Sequence, residues 1–281
     1  MKILVTGVKG QLGYDVMKVL HQRGIECLGA DIEDFDITDK AATLAFIERY
    51  APDVVIHCSA YTAVDRAQED PELCWRVNVD GARHIAAACK KVGAKMVYIS
   101  TDYVFPGTGE RFYETDDPTG PLSVYGKTKL GGELAVKELL DRYFIVRISW
   151  VFGKNGNNFV KTMLRLGRER DQVNVVCDQI GSPTYTADLA PLLCDMAATE
   201  KYGVYHATNE GVCSWADFAA RIFELGGCKA VMNPIPSSEY PAKAARPFNS
   251  RLSKKSLDDA VFSRLPTWQD ALERYLKEIQ E

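Results

Sequence analysis

The chain has no Cys-x-x-Cys pair and no Cys/His spacing of the kind that holds zinc; its eight cysteines (27, 58, 74, 89, 177, 194, 213 and 228) stand singly. That pattern argues against a disulfide scaffold, and no metal site is expected. The cysteines read as reduced, mostly buried small hydrophobes. Positive charge is not in excess: 34 Lys and Arg face 38 Asp and Glu, a net charge of −4, so there is no broad basic field for nucleic acid or an anionic membrane. No apolar run approaches membrane-spanning length, and Met1 leads straight into a short apolar run too brief for a signal-peptide core. The expectation is a cytoplasmic protein with neither nucleic acid nor membrane as partner. Histidine is scarce too, and His57 and His84 fall within apolar patterns, where an imidazole is more often structural than catalytic. What the chain does have is 281 residues, 46% of them hydrophobic, ample for a buried core.

Residues 2–6 form a nearly continuous apolar run, the signature of a parallel strand buried on both faces, and feed into a loop with glycines at 7, 10 and 13. Leu12, Val16, Val19 and Leu20 then mark one stripe of a helix that closes near Gly24, and residues 25–30 read as a second strand ending at Asp31. Strand, glycine loop, helix, strand and acid make up a dinucleotide-binding unit. Its glycines serve a tight turn, close approach of the pyrophosphate and close helix packing, while free amides at the helix start face the phosphates. Gly7, Gly10, Gln11, Leu12 and Gly13 are therefore the candidate phosphate contacts. Asp31 is placed to accept hydrogen bonds from a ribose diol and to repel a 2′-phosphate, which favours NADH, while Lys9 leaves NADPH open. Asp36 and Ile37, ahead of a Thr38-capped helix over 41–50, lie where an adenine ring is usually covered. Ala60, Tyr61 and Thr62 follow a third strand over 53–57 and line the path toward the nicotinamide.

A helical segment over 71–92 and a fourth strand over 95–100 lead to Thr101 and Asp102 at a strand end. A Gly/Pro/acid-rich connection over 106–121 is long enough to cover a site. It ends at a helix over 124–142 that carries Tyr125 and Lys129. The i,i+4 spacing puts phenol and ammonium on one face, and an adjacent cation is expected to lower the phenol's pKa toward neutrality. With a hydroxyl from Thr101, the set points to carbonyl chemistry with Tyr125 as proton donor. Tyr14 and Lys18 share the same spacing but follow no Ser-Thr strand end, and serve as an internal decoy. A strand over 144–149 is closed by Trp150.

This alternation predicts an α/β fold, a doubly wound parallel sheet with ligands beyond the strands' carboxyl ends. From about 151 the pattern loosens: helices over 155–170, 186–199, 215–225 and 267–279, and short strands over 173–177, 203–207 and 231–235. The organisation expected is a dinucleotide-binding domain over 1–150 and a smaller α/β substrate lobe over 151–281, with a soft boundary that the chain is free to recross.

The stretches Thr6 to Gly13, Ala60 to Asp65, Ser100 to Gly107, Tyr125 to Lys129, Ser149 to Phe152, Gly156 to Phe159, Asp178 to Thr184 and Arg246 to Leu252 together resemble the extended short-chain dehydrogenase/reductase superfamily, and within it the dTDP-4-dehydrorhamnose reductase family. The resemblance covers nearly the whole chain. It implies reduction of the C4 ketone of a nucleotide-linked 6-deoxy-4-keto sugar by NADH or NADPH. Tyr125 would protonate the oxygen, Lys129 would hold the nicotinamide ribose, and Thr101 would tune the proton transfer. Asp102 and Trp150 would position the sugar, and Arg246, with Asn249 and Ser250, would contact the diphosphate; the plainer reading of Arg246 is a surface ion pair. A dehydratase or epimerase of the same fold is a competing reading, although dehydratases resemble one another in an Asp-Glu pair where this chain has Asp102-Tyr103. So is a non-catalytic regulatory subunit of the same family, and a homodimer is left open.

Overall fold

The computed structural model describes residues 1–280. Apolar runs in the first half become strands β1 (Lys2–Thr6), β2 (Glu26–Ala30), β3 (Val54–His57), β4 (Lys95–Thr101) and β5 (Tyr143–Ile148). Between them run helices α1 (Gln11–Gln22), α2 (Lys40–Tyr50), α3 (Val64–Glu69), α4 (Pro71–Trp75), α5 (Ala82–Val92) and α6 (Val124–Leu139). The second half adds β6 (Val151–Phe152), α7 (Phe159–Glu169), β7 (Gln172–Val176), β8 (Ile180–Gly181), β9 (Thr184–Tyr185), α8 (Thr186–Ala197), β10 (Gly203–His206), β11 (Cys213–Ser214), α9 (Trp215–Leu225), β12 (Val231–Ile235), β13 (Asn249–Ser250), α10 (Lys255–Asp259) and α11 (Trp268–Glu278).

The main sheet has the order β2-β1-β3-β4-β5-β10, every pair parallel. Helices α1 and α8 cover one face, with Val16, Leu20, Leu189 and Leu193 packed on Ile3, Val5 and Val146; α2, α5 and α6 cover the other, around Leu4, Val55 and Ile145. Because β1 is followed by β2 on one side and β3 on the other, the strand order reverses between β1 and β3. The crevice at their carboxyl ends is where such a sheet takes a ligand.

The boundary expected near 150 does not bound the sheet. After β6, α7, β7, β8 and β9 the chain returns, α8 packing on α1 and β10 adding the sixth strand beside β5. The lobe has its own core, in which Met163 and Leu164 of α7, Val173 and Val175 of β7, Phe218 and Ile222 of α9 and Tyr275 of α11 meet. Two local expectations need correction. Asp39, not Thr38, caps α2, its carboxylate accepting from the amides of Ala41 (2.8 Å) and Ala42 (3.0 Å). The helix over 71–92 starts as expected, with Asp70 capping and Pro71 in the first turn, but widens into a π-helical turn at Arg76–Gly81 before α5. No helix among the described residues is long and apolar enough to cross a membrane.

Candidate active site

At the end of β4, Thr101 is extended and its hydroxyl donates to Asp102 Oδ1 (2.9 Å), while the Tyr103 amide reaches back to it (3.3 Å). Asp102 is 2% exposed and its other oxygen accepts from Ser250 Oγ at 2.5 Å. Burial pushes the Asp102 carboxyl up to about 6, against the pull of these two hydroxyls. Ser123 caps α6, accepting from the Gly126 amide, and this sets Tyr125 in the first turn and Lys129 in the second. The Tyr103 and Tyr125 rings meet edge-on at 5.4 Å.

Lys129 is 3% exposed and its Nζ sits 4.2 Å over the Tyr98 ring, with no protein oxygen accepting from it among the described residues. Burial lowers its pKa to about 7, an effect opposed chiefly by Glu133. The expectation that this cation would bring Tyr125 down toward neutrality is overturned: burial drives the phenol up from its ordinary value, and the Thr101 hydroxyl only partly offsets the rise. Desolvation dominates because the phenol is removed from water, and the neighbouring Asp102 carboxylate adds to the rise. The decoy pair lies elsewhere. Tyr14 is 43% exposed on α1, and Lys18 is held by Glu278 of α11 at 3.3 Å.

Thr101, Asp102, Tyr125, Lys129 and Trp150 line one cavity of about 460 Å³, together with Gly7, Gly10, Gln11, Leu12, Gly13, Ala60 and Thr62. A second cavity of about 270 Å³ holds Asp31, Asp36 and Ile37 and shares Gly7, Gly10, Cys58 and Ala60 with the first. The two form a continuous trough across the strand reversal. Gly7 has φ +71°, and a Cβ there would stand 2.8 Å from the Ser59 amide nitrogen; a Cβ on Gly13 would press on the Gly7 carbonyl. Gly10 at the N-cap has no side chain to cap α1, so its first-turn amides face the trough. These features fit a dinucleotide laid with its pyrophosphate on the glycine loop.

A family profile described as "RmlD substrate binding domain" matches residues 1–281. The chain belongs to that family. It is 44% identical to a dTDP-4-dehydrorhamnose reductase of Streptomyces griseus over 276 residues, covering 96% of this chain and 91% of that one. Among solved structures, the crystal structure of a dTDP-4-dehydrorhamnose reductase from Clostridium acetobutylicum superposes with a TM-score of 0.98 at 42% identity, covering 100% of both chains. The dTDP-4-dehydrorhamnose reductase of Bacillus anthracis, solved in complex with NADP, gives 0.96 at 43% identity over 99% of this chain and 100% of that one.

Family membership does not place every expected residue in the trough. Tyr61 enters through its backbone, donating from its amide to Asn78 Oδ1 (2.8 Å) and accepting from Asn78 Nδ2 (3.1 Å). Asn249 Nδ2 is committed to the carbonyls of Thr108 (3.3 Å) and Arg111 (2.8 Å), and Ser250 is committed to Asp102, so in this conformation both brace the site instead of facing a diphosphate. Arg246 makes the ion pair that was its plainer reading, with Asp65 at 2.7 Å, and lines a third cavity of about 670 Å³. Trp215 was not expected. It stacks on Trp150 with ring centres 3.8 Å apart and lines both the first and third cavities. Asn78, within the segment over 71–92, was not expected either; in the π turn its amide also reaches Thr128 Oγ1 of α6 (3.0 Å).

Proposed function

We propose that this protein reduces the C4 ketone of dTDP-4-dehydro-6-deoxy-L-mannose to the alcohol, giving dTDP-L-rhamnose, with a reduced nicotinamide dinucleotide as co-substrate. One observation carries the reading: Thr101, Tyr125 and Lys129 share a cavity with both the glycine loop and the Trp150 platform. When bound, the dinucleotide supplies the hydride. Tyr125 donates the proton to the ketone oxygen, and its burial keeps it protonated at neutral pH, the resting state a donor needs. Lys129, unbonded to protein oxygen, is free to hold the nicotinamide ribose and, as an ammonium, to stabilise the Tyr125 phenolate left by the transfer until it takes a proton from water. Asp102, locked by Ser250, holds the Thr101 hydroxyl, which would turn its proton from that carboxylate to the ketone oxygen to orient it.

The third cavity, joined to the first at Trp215, suits the nucleotide end of the substrate. Phe159 and Met163 offer apolar wall, and Arg246 brings a guanidinium with a buried, unpartnered Nε to its edge. The absence of an acid after Asp102 supports reduction over dehydration, since Tyr103 fills that place. With all eight cysteines unpaired, a reducing cytoplasm is the compartment that suits the chain.

At the adenosine end the acids support NADH. Asp31 Oδ2 accepts from the Lys9 amide (2.9 Å), and the Lys9 ammonium is engaged by Glu33 at 2.6 Å, leaving a negative rim where a 2′-phosphate would sit. Asp31→Ala is expected to raise the NADPH-to-NADH ratio of kcat/KM by about tenfold, equivalent to ~1.4 kcal/mol; an unchanged ratio places the discrimination elsewhere. The decisive experiment follows NADH and NADPH oxidation against a panel of nucleotide-linked 4-keto sugars. One dinucleotide should be oxidised per dTDP-4-keto sugar reduced. Purification with retained NAD and no net oxidation would favour an epimerase, and a stoichiometric synthetase partner without turnover would favour the regulatory subunit.

A further inference from the structure

Beneath the site, Tyr125, Lys129 and Glu133 succeed one another at i, i+4 and i+8 along one side of α6. Glu133 is fully buried, as is its partner Arg147 of β5 apart from 2%. The pair is bidentate: Arg147 Nε donates to Oε1 (2.9 Å) and Nη2 to Oε2 (2.8 Å). Ser100, the residue before Thr101, donates to the same carboxylate at 2.5 Å. The remaining arm of Arg147 donates to the Thr115 carbonyl (3.0 Å) in the 106–121 connection, and its guanidinium lies over the Phe105 ring at 4.9 Å.

One carboxylate thus ties together the helix that carries Tyr125 and Lys129, the strand that delivers Thr101, the strand that leads to Trp150, and the 106–121 connection, which packs on Asn249 and lines none of the three cavities. A buried ion pair of this kind is no better for stability than a well-packed apolar pair, so its retention asks for another role. We propose that Glu133, held by Arg147 and Ser100, is a positioning residue for the reduction, acting through Lys129 and the Thr101 strand end. The proposal rests on the reductase reading above.

The groups around Lys129 make Glu133 its electrostatic support. Tyr98 of β4 presents only its ring face, Cys74 of α4 and Cys58 and His57 beyond or within β3 are thiol or neutral imidazole, and Tyr125 is an un-ionised phenol. Glu133 is the one carboxylate among those that raise the affinity of Lys129 for its proton. Removing that charge lets the ammonium lose its proton at lower pH.

The test is Glu133→Gln, with kcat/KM for the 4-keto sugar measured across pH. The alkaline limb should move down by about one pH unit, with a fall in kcat larger than the rise in KM; Glu133→Asp should recover part of the shift. A profile superimposable on the wild type would overturn the proposal. Glu133→Gln leaves Arg147 unpaired, so the double variant Glu133→Leu with Arg147→Met is measured alongside it. That variant should fold, since the pair is replaced by apolar groups, yet show the same displaced limb; failure of both to fold would make the pair a folding element and overturn a separable role. If the wild-type protein reduces no 4-keto nucleotide sugar, the functional reading fails by itself. Glu133 is then judged on the pH dependence of NADH affinity by fluorescence, which should weaken at lower pH in Glu133→Gln than in wild type and stand against the proposal if the two curves coincide.

Discussion

Tyr125→Phe is expected to lower kcat by on the order of 10² to 10⁴ while leaving NADH affinity within about twofold. The hydroxyl lines the same cavity as Thr101 and Lys129 and has a proton to give. Removing it takes away the proton without disturbing the glycine loop or Asp31, which lie across the trough. Because burial holds the phenol protonated, Tyr125 should add no ionisation of its own to the wild-type profile near neutral pH, and the alkaline limb belongs to Lys129. Tyr14→Phe, at the exposed decoy position, should leave kcat unchanged. Near-normal turnover by Tyr125→Phe would move the acid to another residue.

Lys129→Met should separate activity from stability in opposite directions. Turnover should fall at least about a hundredfold, since the group that steadies the ribose and the proton donor is gone. The ligand-free protein, however, should become more resistant to heat. Lys129 titrates near 7 in the fold and near its ordinary 10.5 in the unfolded chain, so the unfolded chain binds the extra proton between those values. Wild-type stability therefore rises as pH rises from 7 toward 10, and below pH 7 the fold bears the whole cost of burying the ammonium. Methionine removes that cost with little change of volume, a gain on the order of 2–4 kcal/mol below pH 7 that shrinks toward pH 10. Melting curves at pH 6 and pH 9.5 check it: a variant no more stable than wild type at pH 6 would mean the ammonium is stabilised by its seat over Tyr98.

The parts of this site written in neighbouring residues were legible before any coordinates. The glycine loop and Asp31 follow from a strand–helix–strand run, and Tyr125 with Lys129 from one helical turn. What could not be read depends on groups far apart in the chain: Ser250 closing on Asp102, Trp215 stacking on Trp150, Asp65 capturing Arg246, Arg147 clasping Glu133. The sign of the Tyr125 shift belongs to the same class. Spacing reveals that a cation is near, whereas the outcome turns on how completely both groups are stripped of water, and that is a property of the assembled core. A recrossing of the boundary was left open by the sequence, but that α8 and β10 are the elements that return was hidden, because a short apolar strand carries no mark of which sheet it joins.

The stacked Trp150 and Trp215 should also have an optical use, apart from the sugar platform proposed for Trp150. Indoles 3.8 Å apart and nearly parallel are electronically coupled, and their emission overlaps the absorption of a reduced nicotinamide bound a few residues away. Of the four tryptophans, Trp75 lies half-exposed on α4 and Trp268 is buried in the lobe, so neither faces this cavity. The enzyme thus contains a native optical gauge: co-substrate arrival should quench the pair by energy transfer, and a sugar settling on Trp150 should register as a second, separate spectral change, timing each arrival without a label.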